Sequence, residues 1–231
     1  MTTPTVHSFY QSNIPARLVE SQARVFAHLN IPLKQWQDDN STHYDWINMI
    51  MRSDDLGPLA VIADIDAFPL SRTGFDMLVA QAEKGALAGL AQTANHKDPN
   101  RVYAAPMFMA VQRQVYNDLG APSMAHSKTG DVAQILTDRA HQAGVEVALI
   151  YPSFSVLPRW ALSDHGMYGI GTFYGDNAFF HLFESRRTQT QDLFCAVAEG
   201  VVSGRHNWQR YLEIMEQAPP PAKKKKFFGL F

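Results

Sequence analysis

Two aspartates separated by one residue, Asp64 and Asp66, close the most strand-like run of the chain, Pro58 to Asp66. Gly57 and Pro58 bound that run on one side and Pro69 on the other. Its unbroken apolar character predicts a strand covered on both faces, as in a parallel α/β sheet. Residues two apart on an extended strand point the same way, so both carboxylates face one side at the strand's carboxyl end, where open sheets bind ligands. Two hard oxygen donors so placed can share one divalent cation, Mg²⁺ or Mn²⁺, with other groups completing its shell. The structural alternative has one aspartate capping the next turn and the other solvated.

His181 lies in an alternating apolar run, Phe179 to Phe183, followed by Glu184, Arg186 and Arg187. A neutral imidazole there can supply a third protein ligand to a metal held by Asp64 and Asp66, or it is a packed core histidine. Arg186 and Arg187 suit a pyrophosphate, because a guanidinium presents paired donors, or they are surface charges.

These residues need a frame, and the order of the elements supplies one. Thr5 to Tyr10 reads as a first strand, and Ala16 to Leu29 has helical spacing that stops before Pro32. Leu33 to Trp36 is a short strand, Gln37 to Thr42 a polar loop, and His43 to Met51 a helix. Beyond the aspartates, Ser71 caps a helix that runs to Lys84 and ends at Gly85. A strand over Ala86 to Gln92, a loop over Thr93 to Arg101, an extended run over Tyr103 to Ala110 and a helical one over Val111 to Leu119 come next. Gly130 and Asp131 open a helix predicted over Val132 to Ala143, and Val145 to Tyr151 is a strand. From Pro152 to Glu184, glycines 169, 171 and 175 among aromatic residues predict loops and short strands near a site. Helices return at Gln189 to Val202 and Asn207 to Gln217. This alternation, without internal repeats, predicts an α/β sandwich in one domain over residues 1–217.

A chain of 231 residues with 46% hydrophobic and 18% charged side chains can bury one large core. Its 20 Lys and Arg against 22 acidic residues make no basic field, so nucleic acid is not an expected partner. The single cysteine, Cys195, excludes an internal disulfide framework and a cysteine-based zinc site, and its neighbours resemble a helix face with a buried thiol. No secretory-signal pattern and no apolar stretch of membrane-spanning length occurs, so a soluble, cytoplasmic protein is expected. Residues 218–231 differ in kind: a proline-rich spacer leads to Lys223–Lys226 and then Phe227-Phe-Gly-Leu-Phe231. That tail can make weak contact with an anionic membrane surface by charge and shallow apolar insertion, or it is a solvated end.

Phe9-Tyr10 closing the first strand, Asp64-Ile65-Asp66, Gly130-Asp131-Val-Ala-Gln134 at a helix start and the late His181 together resemble a known family. In order and spacing, over residues 5 to 184, they are similar to the GT-A fold of nucleotide-sugar-dependent glycosyltransferases. The resemblance implies a Rossmann-like mixed sheet flanked by helices, with His7, Ser8, Phe9 and Tyr10 holding the nucleotide base. It implies Mn²⁺ or Mg²⁺ held on the diphosphate by Asp64 and Asp66, with His181 completing the protein ligands and Arg186 meeting the phosphates. Asp131 would face the acceptor or reacting sugar as the catalytic carboxylate. The implied donor is a nucleoside-diphosphate sugar of the UDP type, and the partner a glycan or other hydroxyl acceptor. No adjacent Glu-Asp pair is present, so inversion and retention both stay open. The chemistry agrees: a cation neutralises a departing diphosphate without proton transfer, and an attacking hydroxyl needs a carboxylate nearby. A helix start at Asp131 would favour its ionised form, and a plain N-cap role also fits.

Two rival readings use the same residues. Val61-Ile-Ala-Asp-Ile-Asp66 also resembles the nucleophile strand of haloacid-dehalogenase-type phosphatases, with Asp64 attacking phosphorus. Phe68 stands where such enzymes carry Thr or Val, and Ile135 where a later aspartate is expected. The other rival is a non-enzymatic interaction protein, docking through its tail, in which the aspartates are structural.

Overall fold

The computed structural model describes residues 3–53, 56–94 and 97–216. Its first half comprises β1 (Val6–Tyr10), α1 (Ala16–His28), β2 (Leu33–Gln37), α2 (His43–Arg52), β3 (Leu59–Asp64), β4 (Ala67–Pro69), α3 (Arg72–Glu83) and β5 (Leu87–Ala94). The second half comprises β6 (Asp98–Gln112), α4 (Arg113–Asp118), α5 (Gln134–Ala143), β7 (Val147–Ile150), β8 (Pro152–Ala161), β9 (Met167–Tyr174), β10 (Phe179–His181), α6 (Thr188–Ser203) and α7 (Trp208–Glu216). Local chemistry explains several of the boundaries. Thr42 caps α2 by accepting the Asp45 N–H, and Ser71 caps α3 by accepting the Gly74 N–H at 3.0 Å.

The apolar run before Asp64 becomes an inner strand of a six-stranded sheet ordered β2-β1-β3-β6-β5-β7. β1 lies parallel to β2 and β3, whereas β6 runs antiparallel to both β3 and β5. The sheet is therefore mixed, as the resemblance implied and not parallel as the apolar run alone suggested, and helices cover both of its faces, which is why β3 carries no polar alternation. A second, antiparallel sheet, β4-β10-β9-β8, packs beside the first. Between the sheets Phe108 meets Phe179 with ring centroids 4.9 Å apart, and on the smaller sheet's other side Phe68 meets Phe194 of α6 at 4.8 Å. Each such pair adds about 0.5–1.5 kcal/mol beyond the area it buries. On the other face, Trp46, Ile47, Tyr116 and Leu136 seal α2, α4 and α5 against the sheet.

Four expectations are corrected. The strand ends at Asp64, and Ile65-Asp66 form a turn, so the two aspartates do not share a continuous strand. The loop expected over Thr93 to Arg101 is mostly hairpin, because β5 runs to Ala94 and β6 starts at Asp98. Thr93 is buried there and bonds the Tyr168 hydroxyl, whereas Arg101 pairs with Asp138 at 2.6 Å. The helix expected from Val132 starts at Gln134, because Ala133 takes a left-handed conformation with φ 62°. Asp131 thus lies in the turn before α5. Pro152 to Glu184 holds a long β8–β9 hairpin instead of short strands; bulges near Pro152 and Pro158 break the alternation that would reveal it. Cys195 is half-buried on α6, where its sulfur accepts the Ser21 hydroxyl at 3.4 Å. Gln217 and the tail, residues 218–231, lie outside the described residues. Among the described residues, no helix is long and apolar enough to cross a membrane.

Gly171 in β9 has φ +65°, and a Cβ there would lie 2.5 Å from a Leu193 methyl. The next residue, Thr172, pairs with His181, so this position steadies the site. Gly171→Ala is expected to destabilise the protein by about 2–4 kcal/mol, from the left-handed backbone and the overpacking together. Urea denaturation measures it, and a loss under about 0.5 kcal/mol would contradict the packing described.

Candidate functional site

Three segments deliver the site. β1 and β3 end side by side, with Phe9 in register with Asp64. The turn after β3 leads into β4, where Ala67 pairs with His181 of β10, and the Leu182 N–H donates to the Asp66 carbonyl at 2.9 Å. This ladder carries Asp66 and His181 to the same point. Gln22 of α1, fully buried, braces the turn by donating to the carbonyls of Asp64 at 2.7 Å and Ala67 at 2.9 Å. Gln35 in turn donates to the Gln22 side-chain oxygen. The whole Ile65-Asp66 turn is thus pinned from behind.

His181 Nε2 lies 3.8 Å from Asp64 Oδ2 and 3.5 Å from Asp66 Oδ1, and one ligand atom from each of the three residues falls within 4.8 Å of the others. These distances are long for direct hydrogen bonds, and His181 Nδ1, also buried, has no hydrogen-bond partner among the described residues. Two carboxylates and one imidazole are donors suited to Mn²⁺ or Mg²⁺, so the residues fit the cation that the sequence implied. His43, at the start of α2, was not singled out in the sequence. It donates from Nε2 to Asp64 Oδ1 at 3.1 Å, and its ring lies parallel to Phe9. Burial, the largest influence on His43, disfavours its charge, but Asp64, then Asp66 and Asp131, outweigh this and raise its pKa above the ordinary value. Burial likewise opposes ionisation of Asp64, yet His43 and then His181 hold that carboxyl below its usual range.

Two cavities meet here. The larger, about 650 Å³, is lined by Phe9, Tyr10, Asn13, Ile14, Arg186 and Arg187 on its outer sides. The smaller, about 260 Å³, is lined by Gln92, Tyr103, Met107, Asp131 and His181. His43, Asp64, Asp66 and Glu184 line both and form the wall between them. Glu184 has φ +60° and is gripped by Arg187 at 2.6 Å and by Arg159; burial, its largest single influence, raises its pKa, but the two arginines together hold it below the usual range. Burial, reinforced by Asp131, pushes the Tyr103 phenol well above its ordinary pKa, so it stays an O–H donor at neutral pH.

Of the residues expected to act, Phe9, Tyr10, Asp64, Asp66 and Arg186 come together at the larger cavity and His181 and Asp131 at the smaller one. Asp131 Oδ1 accepts the Val132 N–H, and the Asp131 N–H donates to Gln134 Oε1, both at 2.9 Å. His7 and Ser8 are buried inside the sheet and line neither cavity; His7 Nδ1 accepts from Trp36 at 3.2 Å. His43, Gln22, Tyr103 and Glu184 were not expected at the site from sequence. His43 alone carried a usable signal, directly after the capping Thr42 and beyond a strand end.

No protein-family model matches this chain, and no curated protein sequence matches it. Solved structures similar to it include the catalytic domain of Drosophila beta-1,4-galactosyltransferase 7 in complex with xylobiose, at 11% identity and TM-score 0.42, covering 64% of this chain and 65% of that one. A mutant of that enzyme in complex with manganese, UDP-Gal and xylobiose gives 13% and 0.46, with the same coverages. A third is 4-diphosphocytidyl-2C-methyl-D-erythritol synthase from Anaerococcus prevotii, at 9% identity and TM-score 0.41, covering 65% of this chain and 87% of that one. The match spans 65% of the length of the galactosyltransferase chains.

Replacing His181 separates a ligand from a packing residue. His181→Ala is expected to weaken Mn²⁺ binding, read by calorimetry, by roughly tenfold or more, on the scale seen when metal-site partners are removed. The melting temperature in chelator should fall only slightly. A large loss of stability with unchanged Mn²⁺ affinity would make His181 a core residue.

Proposed function

We propose that the protein is a metal-dependent glycosyltransferase that moves a sugar from a nucleoside-diphosphate sugar to an acceptor hydroxyl. The observation that carries this reading is the position of the Asp64, Asp66 and His181 cluster on the wall between two cavities of unequal size. The larger has the volume of a small-molecule site, an aromatic rim at Phe9 and Tyr10, and arginines opposite. It suits a nucleotide with its phosphates toward the wall. The smaller presents a carboxylate, an amide and a protonated phenol, a set that suits sugar hydroxyls.

In this arrangement Asp64, Asp66 and His181 would hold Mn²⁺ or Mg²⁺, which when bound neutralises charge on a departing diphosphate. Arg186, exposed at the mouth, adds a guanidinium for the same oxygens. His43 orients Asp64 through its hydrogen bond and fixes which carboxylate oxygen stays free to bind. Asp131 takes the proton of the attacking hydroxyl. Tyr103 donates to an oxygen of the bound sugar or acceptor and keeps that side of the site dry by its bulk. The UDP-type donor implied by the sequence resemblance makes uridine the first nucleotide to test.

Thermal shift with UDP and UDP-sugars is the direct test. Stabilisation is expected with Mn²⁺ present and is expected to vanish in chelator, since carboxylates alone repel a diphosphate. Equal shifts in both conditions, or shifts from uridine alone, would refute the reading. Asp131→Asn should then lower sugar transfer or donor hydrolysis by about 10²–10⁴-fold while leaving the nucleotide shift in place.

A further inference from the structure

Glu184 lines both cavities and has no part in the reaction proposed above. Its two carboxylate oxygens are taken by different arginines: Arg159 Nη1 donates to Oε1, and Arg187 Nη1 donates to Oε2 at 2.6 Å. The two arginines stand in different places. Arg187 lines the larger cavity beside Arg186, whereas Arg159 of β8 lines neither cavity. A polyanion entering the larger cavity meets Arg187 and leaves Arg159 where it is.

The turn that carries this pair is tied down, while the paired side chains are not. The Arg187 N–H donates to the Glu184 carbonyl at 3.1 Å, and the hydroxyl of the buried Thr190 lies 2.7 Å from the carbonyl oxygens of both residues. Arg17 adds a bond to the Thr188 carbonyl at 3.0 Å, which fixes the start of α6. The Arg187 and Glu184 side chains are 34% and 35% exposed, and an ion pair this open holds by a factor of about five at most. A diphosphate offers the same guanidinium more negative charge and several oxygens that match its paired donors. In that competition the diphosphate wins.

We infer that Arg187 is a shared partner that passes from Glu184 to the diphosphate when the larger cavity fills, leaving Glu184 Oε2 free on the wall between the cavities while Arg159 keeps Oε1 in place. With the cavity empty, the carboxylate is neutralised by two guanidinium groups. With it filled, one carboxylate oxygen faces the place where the group attached to the diphosphate has to lie, and it accepts a hydroxyl of that group. Glu184 is thus a positioning residue that becomes available only to a ligand bringing a diphosphate with it. The inference rests on the reading of the larger cavity as the diphosphate side, and it concerns the Arg187–Glu184 pair and not the metal cluster.

The test is a double-mutant cycle on the full chain, read as calorimetric affinity for inorganic pyrophosphate and for UDP, each with Mg²⁺. Glu184→Gln releases Arg187 in advance and should tighten pyrophosphate binding by about two- to fivefold. Arg187→Gln should weaken it by about three- to tenfold. In the Arg187→Gln background the gain from Glu184→Gln should vanish, because no guanidinium remains to be released. Glu184→Asn is the second variant should the first fail to fold: asparagine suits the φ +60° backbone better than glutamate does, and the same cycle is expected of it. Unchanged or weaker pyrophosphate binding in the Glu184 variants, or no pyrophosphate binding by the wild type, would overturn the inference. A gain of equal size without Arg187 would also overturn it, since that is plain relief of charge repulsion. Metal-dependent UDP binding without the coupling would overturn the exchange and leave sugar transfer standing; the coupling with pyrophosphate but no binding of UDP would do the reverse.

Discussion

The Ala67–His181 pairing, with the Leu182 N–H bonded to the Asp66 carbonyl, is the contact on which the site depends. It brings together residues far apart in sequence, using only three residues of β4 and three of β10. Such a short ladder is weak by itself, and the burial around it does the stabilising: Phe68 and Phe180, its central pair, are fully buried beneath Phe194 and Phe173. The side chains it presents oppose one another electrostatically. Two carboxylates whose ligand atoms lie within 4.8 Å repel one another. His43 offsets part of that through Asp64, and Gln22 removes the backbone's freedom to swing the carboxylates apart. The fold thus holds a charge arrangement that favours an added cation.

How much of this was legible in the residues depends on which interactions are local. Strands flanked by helices were readable because their signals, an apolar run, a capping Ser71, a closing Gly85, lie within a few positions. Asp64, Asp66 and His181 stood out because their side-chain types are few and their neighbours strand-like. The mixed sheet came from the family resemblance and not from local signals, because β6 turning antiparallel between β3 and β5 is a tertiary choice without a local marker. The β8–β9 hairpin was hidden for a related reason. Its bulges shift the side-chain alternation twice, so the period of two never accumulates. His43 and Gln22 were invisible because their value lies in the atom they reach across space, a carboxylate oxygen and two carbonyls.

The pairing of His43 with Asp64 also ties α2 to the chemistry. Phe9, His43 and Trp46 stack nearly parallel, so the helix start, the strand end and the first aspartate move as one unit. On the far side of the wall Glu184, held by two arginines, is the only acidic residue besides the aspartates that faces both cavities among the described residues. The site is therefore stiff on its β3 side and held mainly by exposed ion pairs on its β10 side, where each pair contributes little and yields readily to competing charge.

The smaller sheet has two outer strands, and each carries prolines. β4 ends in Pro69, and β8 holds Pro152 and Pro158, with a bulge beside each of the latter. A proline offers no N–H to an incoming strand, and a bulge bends the edge away from the straight course that a partner strand would need. A strand bearing Phe154 and Leu157 in the open would otherwise be a template for chain-to-chain growth. Here the protein can display sticky side chains while its backbone refuses to polymerise, so whatever adheres to that edge must do so through side chains alone.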